Sequence, residues 1–169
     1  MRLPHIPVLA AFISCLLALK APCQYVYVGT DSNDYLGGAS SSDSYFGLFG
    51  DDYLSGGDGF DDLYGDEGND LIIGGGDDDY LCGGEGSDVL YDDDGWDIFS
   101  TQGDGEQDWI YCVDGEDGRP DVVECGVEDT VYCDNDDIIA VWDWNADLGW
   151  HRVFFGSGAE YYDWLAAQG

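Results

Sequence analysis

An aspartate occurs at every ninth residue between positions 34 and 97, eight times in succession. Two residues after each aspartate comes a large apolar residue, and the segments between are rich in glycine. Carboxylates repeated at a fixed interval supply oxygen ligands, which are the donors that hard cations such as Ca²⁺ prefer. The aspartates are Asp34, Asp43, Asp52, Asp61, Asp70, Asp79, Asp88 and Asp97.

A glycine stands five residues before each aspartate except the last, where Asp92 takes its place. Glycine adopts the left-handed conformations of tight turns and leaves its carbonyl oxygen accessible. The three residues that end each nine-residue block suit a short strand whose central apolar side chain points inward. This strict period predicts a stacked array, with one turn and one strand in each block.

If alternate blocks form opposite faces, the array completes one solenoid turn every eighteen residues. Strands on one face then lie about 4.8 Å apart, so the aspartates of neighbouring turns face each other at that spacing. Bare carboxylates at this distance repel strongly, and a calcium ion between them reverses the sign of the interaction. One alternative is a metal-free β-helix with solvated aspartates. Another is a disordered acidic linker, but the inward apolar residue of every block argues against disorder.

Two of the eight blocks, GGDGFDDLY and GGEGSDVLY, match the calcium-binding nonapeptide GGxGxDxUx at every specified position, where U is a large aliphatic residue. The chain therefore resembles the RTX, or haemolysin-type, calcium-binding repeat family, closely over residues 29–100 and in degenerate form to about residue 139. The resemblance implies an all-β fold, a right-handed parallel β-roll or β-solenoid, whose calcium ions are held between turns by the motif aspartates and by glycine-loop carbonyls.

Carried onto this sequence, the family pattern implies two stacks of ligands with three gaps each, and hence about six calcium ions. One stack comprises Asp34, Asp52, Asp70 and Asp88, and the other comprises Asp43, Asp61, Asp79 and Asp97. The fourth-position glycine of the motif is replaced by Ser32, Ser41 and Asp77, and the second block retains little of the motif besides Gly38, Asp43 and Tyr45. We therefore expect the sites that involve Asp34 and Asp43 to be the weakest.

The charge of the chain excludes some partners and requires others. Only four residues are basic and 37 are acidic, which gives a formal net charge of −33 at pH 7. Such a chain repels phosphate backbones, so we expect no nucleic-acid partner. Because 44% of the residues are hydrophobic, the chain has the material for a core but needs cations to tolerate its own charge.

The N-terminal segment, residues 1–23, is typical of a secretory signal peptide, with Arg2 before the short apolar run IPVLAAFISCLLAL. Cleavage after Cys23 is favoured, cleavage after Ala21 is an alternative, and an uncleaved anchor is a third interpretation. The run is too short to span a bilayer comfortably, and no other apolar stretch is long enough. We therefore expect a secreted, extracellular protein.

Beyond the signal, three further regions are predicted: the RTX-like β-roll at 24–100, degenerate rungs at 101–139 and a Trp-rich C-terminal cap at 140–169. The unit Asp-x-apolar recurs in the second region without the nine-residue spacing, at Asp108, Asp121, Asp129 and Asp137. We interpret these as further rungs whose turns hold little metal, with Asp108 as an additional partner for Asp88.

Six cysteines occur, of which Cys15 and Cys23 belong to the predicted signal. In an exported protein the other four favour two disulfide bonds. If alternate rungs share a face, Cys112 and Cys133 lie one turn apart, within bridging distance. The remaining pair, Cys82 and Cys125, would be two turns apart, which makes that bond doubtful. Zinc binding is an alternative, but no C-x-x-C unit supports it.

A solenoid needs its apolar end covered. The segments IIAVWDW and WHRVFF predict two strands joined by a turn at 145–149. Ser157 with Glu160 three residues later resembles a capping box that opens a short helix. The sequence thus predicts a hairpin-plus-helix cap. The tryptophans Trp142, Trp144, Trp150 and Trp164 favour packing within this cap, and a carbohydrate-stacking platform is the alternative.

An enzyme is not expected, because His151 is the one histidine outside the signal and neither H-E-x-x-H nor G-x-S-x-G occurs. The favoured function is that of a secreted calcium-binding repeat protein, a non-catalytic structural or partner-binding module that folds on calcium. The alternative is a secreted glycan- or surface-binding protein that uses exposed aromatic residues on this scaffold. The aromatic and aliphatic residues that flank the inward positions and are expected to face solvent are Tyr35, Phe46, Tyr53, Tyr64, Ile73, Tyr80, Tyr91 and Ile98.

Overall fold

The computed structural model describes residues 25–38, 40–92, 94–101, 105–112, 119–134, 137–145 and 149–168, with the side chains of 143–155, 159, 165 and 168 left aside. Over these residues the protein is a parallel β-solenoid of about six turns followed by a small C-terminal helix. This confirms the predicted β-roll. The predicted signal peptide at 1–23 lies outside the described residues.

Fourteen strands and one helix follow one another along the described chain. The strands are β1 (Val26–Val28), β2 (Tyr35–Gly37), β3 (Ser44–Phe49), β4 (Tyr53–Asp58), β5 (Asp62–Glu67), β6 (Leu71–Gly76), β7 (Tyr80–Glu85), β8 (Val89–Asp92), β9 (Ile98–Ser100), β10 (Trp109–Cys112), β11 (Val122–Gly126), β12 (Thr130–Cys133), β13 (Ile138–Asn145) and β14 (Gly149–Ser157). The helix, α1, comprises Gly158–Gln168.

The strands form two sheets that face each other across a narrow core. Odd-numbered strands from β1 to β13, followed by β14, make an eight-stranded sheet, and the even strands from β2 to β12 make a six-stranded sheet. All neighbours are parallel except β13 and β14, which are antiparallel. Because consecutive strands alternate between sheets, two blocks complete one turn, as the nine-residue period predicts.

The apolar residue of each block fills the interior. Leu54 and Leu63 are fully buried, one from each sheet, and the same position is buried in every rung from Tyr45 to Ile139, whereas it is half-buried at Tyr27 and Leu36 near the open end. A slip of one residue would turn the whole apolar set toward solvent, so the pattern fixes the register. The core row comprises Tyr45, Leu54, Leu63, Ile72, Leu81, Leu90, Phe99, Ile110, Val123, Val131 and Ile139.

Backbone conformation explains why the turns are rich in glycine. Gly57, Gly75 and Gly84 have φ values of 110°, 126° and 118°, in the left-handed region that favours glycine. The equivalent position in two other blocks is held by Leu48 and Asp66, with φ of 82° and 73°. Those two blocks therefore carry a conformational cost of about 1 kcal/mol per residue that the glycine blocks avoid.

In the blocks of Asp34, Asp52, Asp70 and Asp88, the residue directly before the aspartate forms hydrogen bonds between successive turns. The N–H of Asp51 donates to Oδ1 of Asn33, the N–H of Asn69 donates to Oδ1 of Asp51, and the N–H of Ser87 donates to Oδ1 of Asn69, at 2.9–3.1 Å. These bonds satisfy backbone donors in loops that have no ladder partner. The stack is thus held by side chains as well as by the sheets.

One prediction about exposure is wrong. Tyr80 was expected to face solvent, but it is buried at 7% exposure. Its ring lies 5.6 Å from that of Tyr64 in the neighbouring strand, and outward aromatic side chains stacked along the sheet cover one another. Tyr35 and Tyr91 do face solvent, at 74% and 41% exposure.

The irregular rungs continue the same solenoid, and the last element closes it. Strands β10 to β13 occur at the predicted Asp-x-apolar units. The hairpin β13–β14 follows, although residues 146–148 of its turn lie outside the described residues. In the capping box of α1, the N–H of Ser157 donates to Glu160 Oε2 at 2.9 Å and the N–H of Glu160 donates to Ser157 Oγ at 3.4 Å. Tyr161 is buried in the core, and Trp164 packs against it.

Candidate metal centre

Each motif aspartate lies immediately before a strand, at the end of a glycine-rich turn, with its side chain directed inward. Seven of the eight are buried, with at most 4% exposure, and Asp34 at the open end is half-buried. Burial of a bare carboxylate is costly unless hydrogen bonds or a cation offset it. The partners of these carboxylates therefore decide what the array does.

One oxygen of each of the seven buried carboxylates accepts a backbone N–H from the preceding turn. The N–H of Asp52 donates to Oδ1 of Asp70, and the N–H of Asp61 donates to Oδ1 of Asp79, both at 2.7 Å. The same bond repeats along both sheets and forms two aspartate ladders. The first ladder comprises Asp34, Asp52, Asp70, Asp88, Asp108 and Asp129, and the second comprises Asp43, Asp61, Asp79, Asp97, Asp121 and Asp137.

The ladders contain the two stacks that the family resemblance implied, and they extend into the irregular rungs. Asp108 follows Asp88 at 2.7 Å, in the position expected for it. Rung spacing varies here, since Asp97 bonds to a residue 24 positions later and Asp121 to one 16 positions later. Pairing is therefore set by the aspartates and strands, and the loops between them vary in length.

In the four central blocks, the second carboxylate oxygen has no hydrogen-bond partner among the described residues. The Oδ2 atoms of Asp52, Asp61, Asp70 and Asp79 are buried without a donor. An unsatisfied buried carboxylate oxygen costs several kcal/mol, by order of magnitude, unless a cation binds it. Four equivalent carboxylate oxygens without donors, in four consecutive blocks, are thus the strongest structural indication of a bound cation.

Carbonyl oxygens lie beside these carboxylates. A Cβ atom placed on Gly47 would come within 3.0 Å of both Asp52 Oδ2 and the carbonyl oxygen of Gly65, one turn farther on. The equivalent position on Gly65 has the same two kinds of neighbour, Asp70 Oδ2 and the Gly83 carbonyl. Glycine is required here because any side chain would fill a space lined by oxygen atoms. Carboxylate and carbonyl oxygens together are the donor set that suits Ca²⁺.

The first two blocks are different. Asp34 Oδ2 accepts hydrogen bonds from the N–H and the hydroxyl of Thr30, at 2.6 and 2.9 Å. Asp43 Oδ2 accepts from the hydroxyls of Ser41 and Tyr45, at 3.2 and 3.3 Å. These carboxylates already have donors, so a cation bound here would compete with hydrogen bonds; that their sites are the weakest stays a prediction.

The last rungs also satisfy their carboxylates internally. Asp129 Oδ2 accepts from the hydroxyl of Thr101 at 2.7 Å and from the N–H of Gly126 at 2.6 Å, and Asp137 Oδ2 accepts from the N–H of Asp134 at 2.6 Å. The inward position that glycine holds in the regular blocks is taken by Thr101, Cys112, Cys125, Cys133 and Val141. Side chains thus fill the space that the regular turns leave open.

Burial also raises the pKa values of several ladder aspartates. Desolvation raises the pKa of Asp61 to about 7 and that of Asp70 to about 6, and in both the N–H of the preceding ladder aspartate opposes the shift. For Asp79, desolvation followed by the charge of Asp92 raises the pKa to about 10. A cation near these groups would favour their ionised forms and lower these pKa values.

Asp92, which replaces the expected glycine in the eighth block, is a further candidate ligand. It is 1% exposed, and its carboxylate forms a cluster with those of Asp79 and Asp97, with one oxygen from each lying within 4.8 Å of the others. The signal in the sequence was the break in the glycine position. Its meaning required the packing of one turn against the next.

The four described cysteines are free thiols in this structure. Cys112 and Cys133 face each other in the parallel pair β10–β12, both buried. Cys82 and Cys125 belong to β7 and β11, which β9 separates. The relation between Cys112 and Cys133 is the one that the sequence predicted, whereas Cys82 and Cys125 are not neighbours.

Comparison with known protein families identifies the repeats. Residues 26–54, 55–90 and 83–105 match the family model described as the RTX calcium-binding nonapeptide repeat. No match to the chain was found among curated proteins. Among the described residues, no helix has the length and apolar character needed to cross a membrane. Residues 26–105, which carry the aspartate ladders and the glycine-lined oxygen sites, thus match the RTX calcium-binding nonapeptide repeat.

Proposed function

We propose that this chain is a secreted calcium-binding repeat protein whose solenoid folds when calcium binds and then serves as a non-catalytic structural or partner-binding module. The observation that carries the proposal is the row of buried Oδ2 atoms without donors, at Asp52, Asp61, Asp70 and Asp79. These oxygens belong to the motif aspartates that the resemblance to the repeat family assigns to calcium, and the neighbouring carbonyl oxygens are further candidate ligands.

The proposed ligands are the eight motif aspartates, and about six ions are expected between them. The gaps bounded by the orphan oxygens fill first, because their carboxylates have no competing donor. The gaps that involve Asp34 and Asp43 fill last, since hydroxyl and N–H donors already occupy these carboxylates. Bound calcium supplies positive charge between facing carboxylates of neighbouring turns.

Folding is coupled to binding because the chain cannot close its turns against its own charge. With a formal charge of −33, the chain is expanded by repulsion in the absence of metal. Each ladder bond brings two carboxylates together, so every closed turn needs a counter-charge. The cap made of β13, β14 and α1 covers one end, and the turns close onto it one after another.

The predicted signal peptide places the protein outside the cell, where calcium is plentiful and thiols oxidise. We accordingly propose a disulfide bond between Cys112 and Cys133, which face each other in adjacent parallel strands. Such a bond would hold two irregular rungs together without metal.

Calcium titration of residues 24–169 tests the function directly. Far-UV circular dichroism should change from an unordered to a β-sheet spectrum as calcium is added to chelated protein, and calorimetry should count about six ions. Magnesium at the same concentration is the control, because its octahedral site is too small for these irregular oxygens. An ordered sheet that persists in excess chelator at low ionic strength and at about pH 8, where the carboxylates of Asp61 and Asp70 are ionised, would contradict the proposal.

A second candidate, binding of neutral surface polymers, is favoured by the outer side of the six-stranded sheet. Its two outward rows contain no charged residue, although the chain as a whole is strongly acidic. We call this surface the aromatic face; it comprises Tyr35, Tyr53, Leu71, Val89, Trp109 and Thr130 in one row and Gly37, Ser55, Ile73, Tyr91, Tyr111 and Tyr132 in the other.

Stacked rings on the aromatic face suit the flat faces of sugars. Tyr35 and Tyr53 are stacked with ring centroids 4.6 Å apart, and Tyr111 and Tyr132 are 4.8 Å apart. Retention of the calcium-loaded protein on immobilised neutral polysaccharides would support this function, and Tyr53→Ala should release it. Tyr64→Ala, on the opposite sheet, is the matched control, and Trp142→Ala tests the cap as the binding surface instead.

A further inference from the structure

Asp92 occupies the inward position that glycine holds in the seven preceding blocks, and it is as deeply buried as the ladder aspartates. We propose that Asp92 contributes a third carboxylate to the cation site between Asp79 and Asp97, and that this makes it the tightest calcium site of the chain. The inference rests on the proposed function, in which the aspartate ladders hold calcium, and adds a ligand that the repeat pattern does not contain.

Hydrogen bonding fixes the orientation of the Asp92 side chain. Its Oδ1 atom accepts the N–H of Gly75, one turn earlier, at 2.9 Å. Its Oδ2 atom faces Gly74, where a Cβ would come within 3.0 Å of both Asp92 Oδ2 and Asp79 Oδ2. Two carboxylate oxygens from different turns therefore converge on one point, and Gly74 leaves that point open.

An independent observation at the same place indicates a ligand. Asp79 is 4% exposed, and its Oδ2 atom has no hydrogen-bond partner in the part of the chain that the structure describes. Oxygens of Asp79, Asp92 and Asp97 all lie within 4.8 Å of one another. Three carboxylates at this separation repel strongly in a buried environment, and a shared cation is the arrangement that reverses this interaction.

Burial and the charge of Asp92 raise the pKa of Asp97 and outweigh the charge of Arg119, which lowers it. The guanidinium of Arg119 forms an ion pair with the exposed edge of the turn at Asp78. By contrast, the regular gaps bring together one aspartate from each of two turns, with glycine at the third inward position. Calcium affinity rises with the number of charged ligands, so the gap with three carboxylates should bind most tightly. Asp92 also borders a surface groove lined by Gly75, Gly76 and Asp94.

The opposite possibility is that Asp92 holds a proton and bonds to Asp79, closing the regular part of the roll without metal. In that case Asp92→Gly, which restores the residue of the other blocks, would leave the tightest calcium step unchanged or strengthen it. The two interpretations thus predict opposite effects of one substitution.

The experiment is calcium calorimetry on the full secreted chain, with terbium luminescence as a second measurement. Trp96, adjacent to Asp97 in sequence, is a suitable sensitiser for terbium in this gap. We expect Asp92→Gly and Asp92→Asn each to weaken the tightest calcium step by about tenfold or more and to reduce Trp96-sensitised emission. Glu85→Gln removes one charge from an exposed position of the adjacent strand and should change neither measurement.

Asp92→Gly is expected to fold in excess calcium because seven other blocks have glycine there, and circular dichroism checks this. Asp92→Asn keeps the volume and the acceptor for Gly75 but loses the charge. An unchanged tightest step in either variant would overturn the inference. Failure of the proposed function looks different, since the wild-type chain would then bind no calcium.

Discussion

The backbone N–H of Asp61 donates to the Oδ1 atom of Asp79, one solenoid turn away, at 2.7 Å. The carboxylate of Asp61 in turn accepts the N–H of Asp43 at 2.7 Å. An interior aspartate therefore contacts the turns on both sides of it, while its Oδ2 atom is left for a cation. Terminal aspartates have one such neighbour, and this asymmetry has measurable consequences.

Loss of an interior carboxylate should weaken calcium-coupled folding more than loss of a terminal one. We expect Asp61→Asn and Asp70→Asn to raise the calcium midpoint by about tenfold, because each removes a charged ligand from two gaps. Asp34→Asn should raise it by less than about threefold, since Thr30 already satisfies that carboxylate. Circular dichroism during calcium titration measures all three, and equal midpoints would refute the ordering.

The metal-free chain should gain structure as the pH falls. Burial raises the pKa of Asp61 to about 7 and that of Asp70 to about 6, above the ordinary value of 3.8. The folded form thus binds protons more tightly than the unfolded chain, so this contribution is present below about pH 4 and is lost as the pH rises toward about 7.

In excess chelator, we therefore expect more sheet at about pH 5.5 than at about pH 8 by circular dichroism. Calcium affinity should change in the opposite direction and rise with pH, because protons compete for the same oxygens. A chelated protein whose spectrum is constant over this range would contradict the burial of these carboxylates.

Strain in one turn can be relieved by substitution. Leu48 has φ of 82° at a position where Gly84 has φ of 118° in the same sheet. We expect Leu48→Gly to raise the stability of the calcium-loaded form by about 1 kcal/mol, as measured by thermal or denaturant unfolding. The reciprocal change, Gly84→Leu, should destabilise it, because a Cβ there would approach the carbonyl oxygen of Asp66. A lower unfolding midpoint for Leu48→Gly would show that its side-chain contacts outweigh the strain.

The proposed disulfide bond joins one specific pair of cysteines, Cys112 and Cys133. In the oxidised, exported protein, peptide mapping should find Cys112 joined to Cys133, which are opposite each other in register. Reduction should lower the unfolding free energy by about 3 kcal/mol, the loop-closure contribution for a loop of this size. Cys125→Ser should leave the bond in place, whereas a Cys82–Cys125 peptide would contradict the strand order.

Much of this fold follows from the sequence because its information is local and repeated. The nine-residue period fixes which side chains point inward, and a slip of one residue would expose Leu54 and Leu63 together. The same period brings alternate aspartates onto one edge, so both stacks could be written down from residue numbers. The capping box at Ser157 and Glu160 is equally local and was predictable for the same reason.

What the sequence could not provide are contacts between turns. Whether a carboxylate keeps an orphan oxygen depends on what the adjacent turn places beside it, such as Thr30 for Asp34 or Tyr45 for Asp43. Tyr80 is buried because its neighbours along the sheet cover it, which no single block reveals.

The sequence by itself determined the period, the inward row and the excess of acid, because each is written in every block. The tertiary structure decided which oxygens are left without donors, that Cys112 meets Cys133, and that Asp92 turns toward Asp79. The physical reason is that these relations join residues 13 to 21 positions apart across a turn, where packing geometry, and not local preference, sets the distance between side chains.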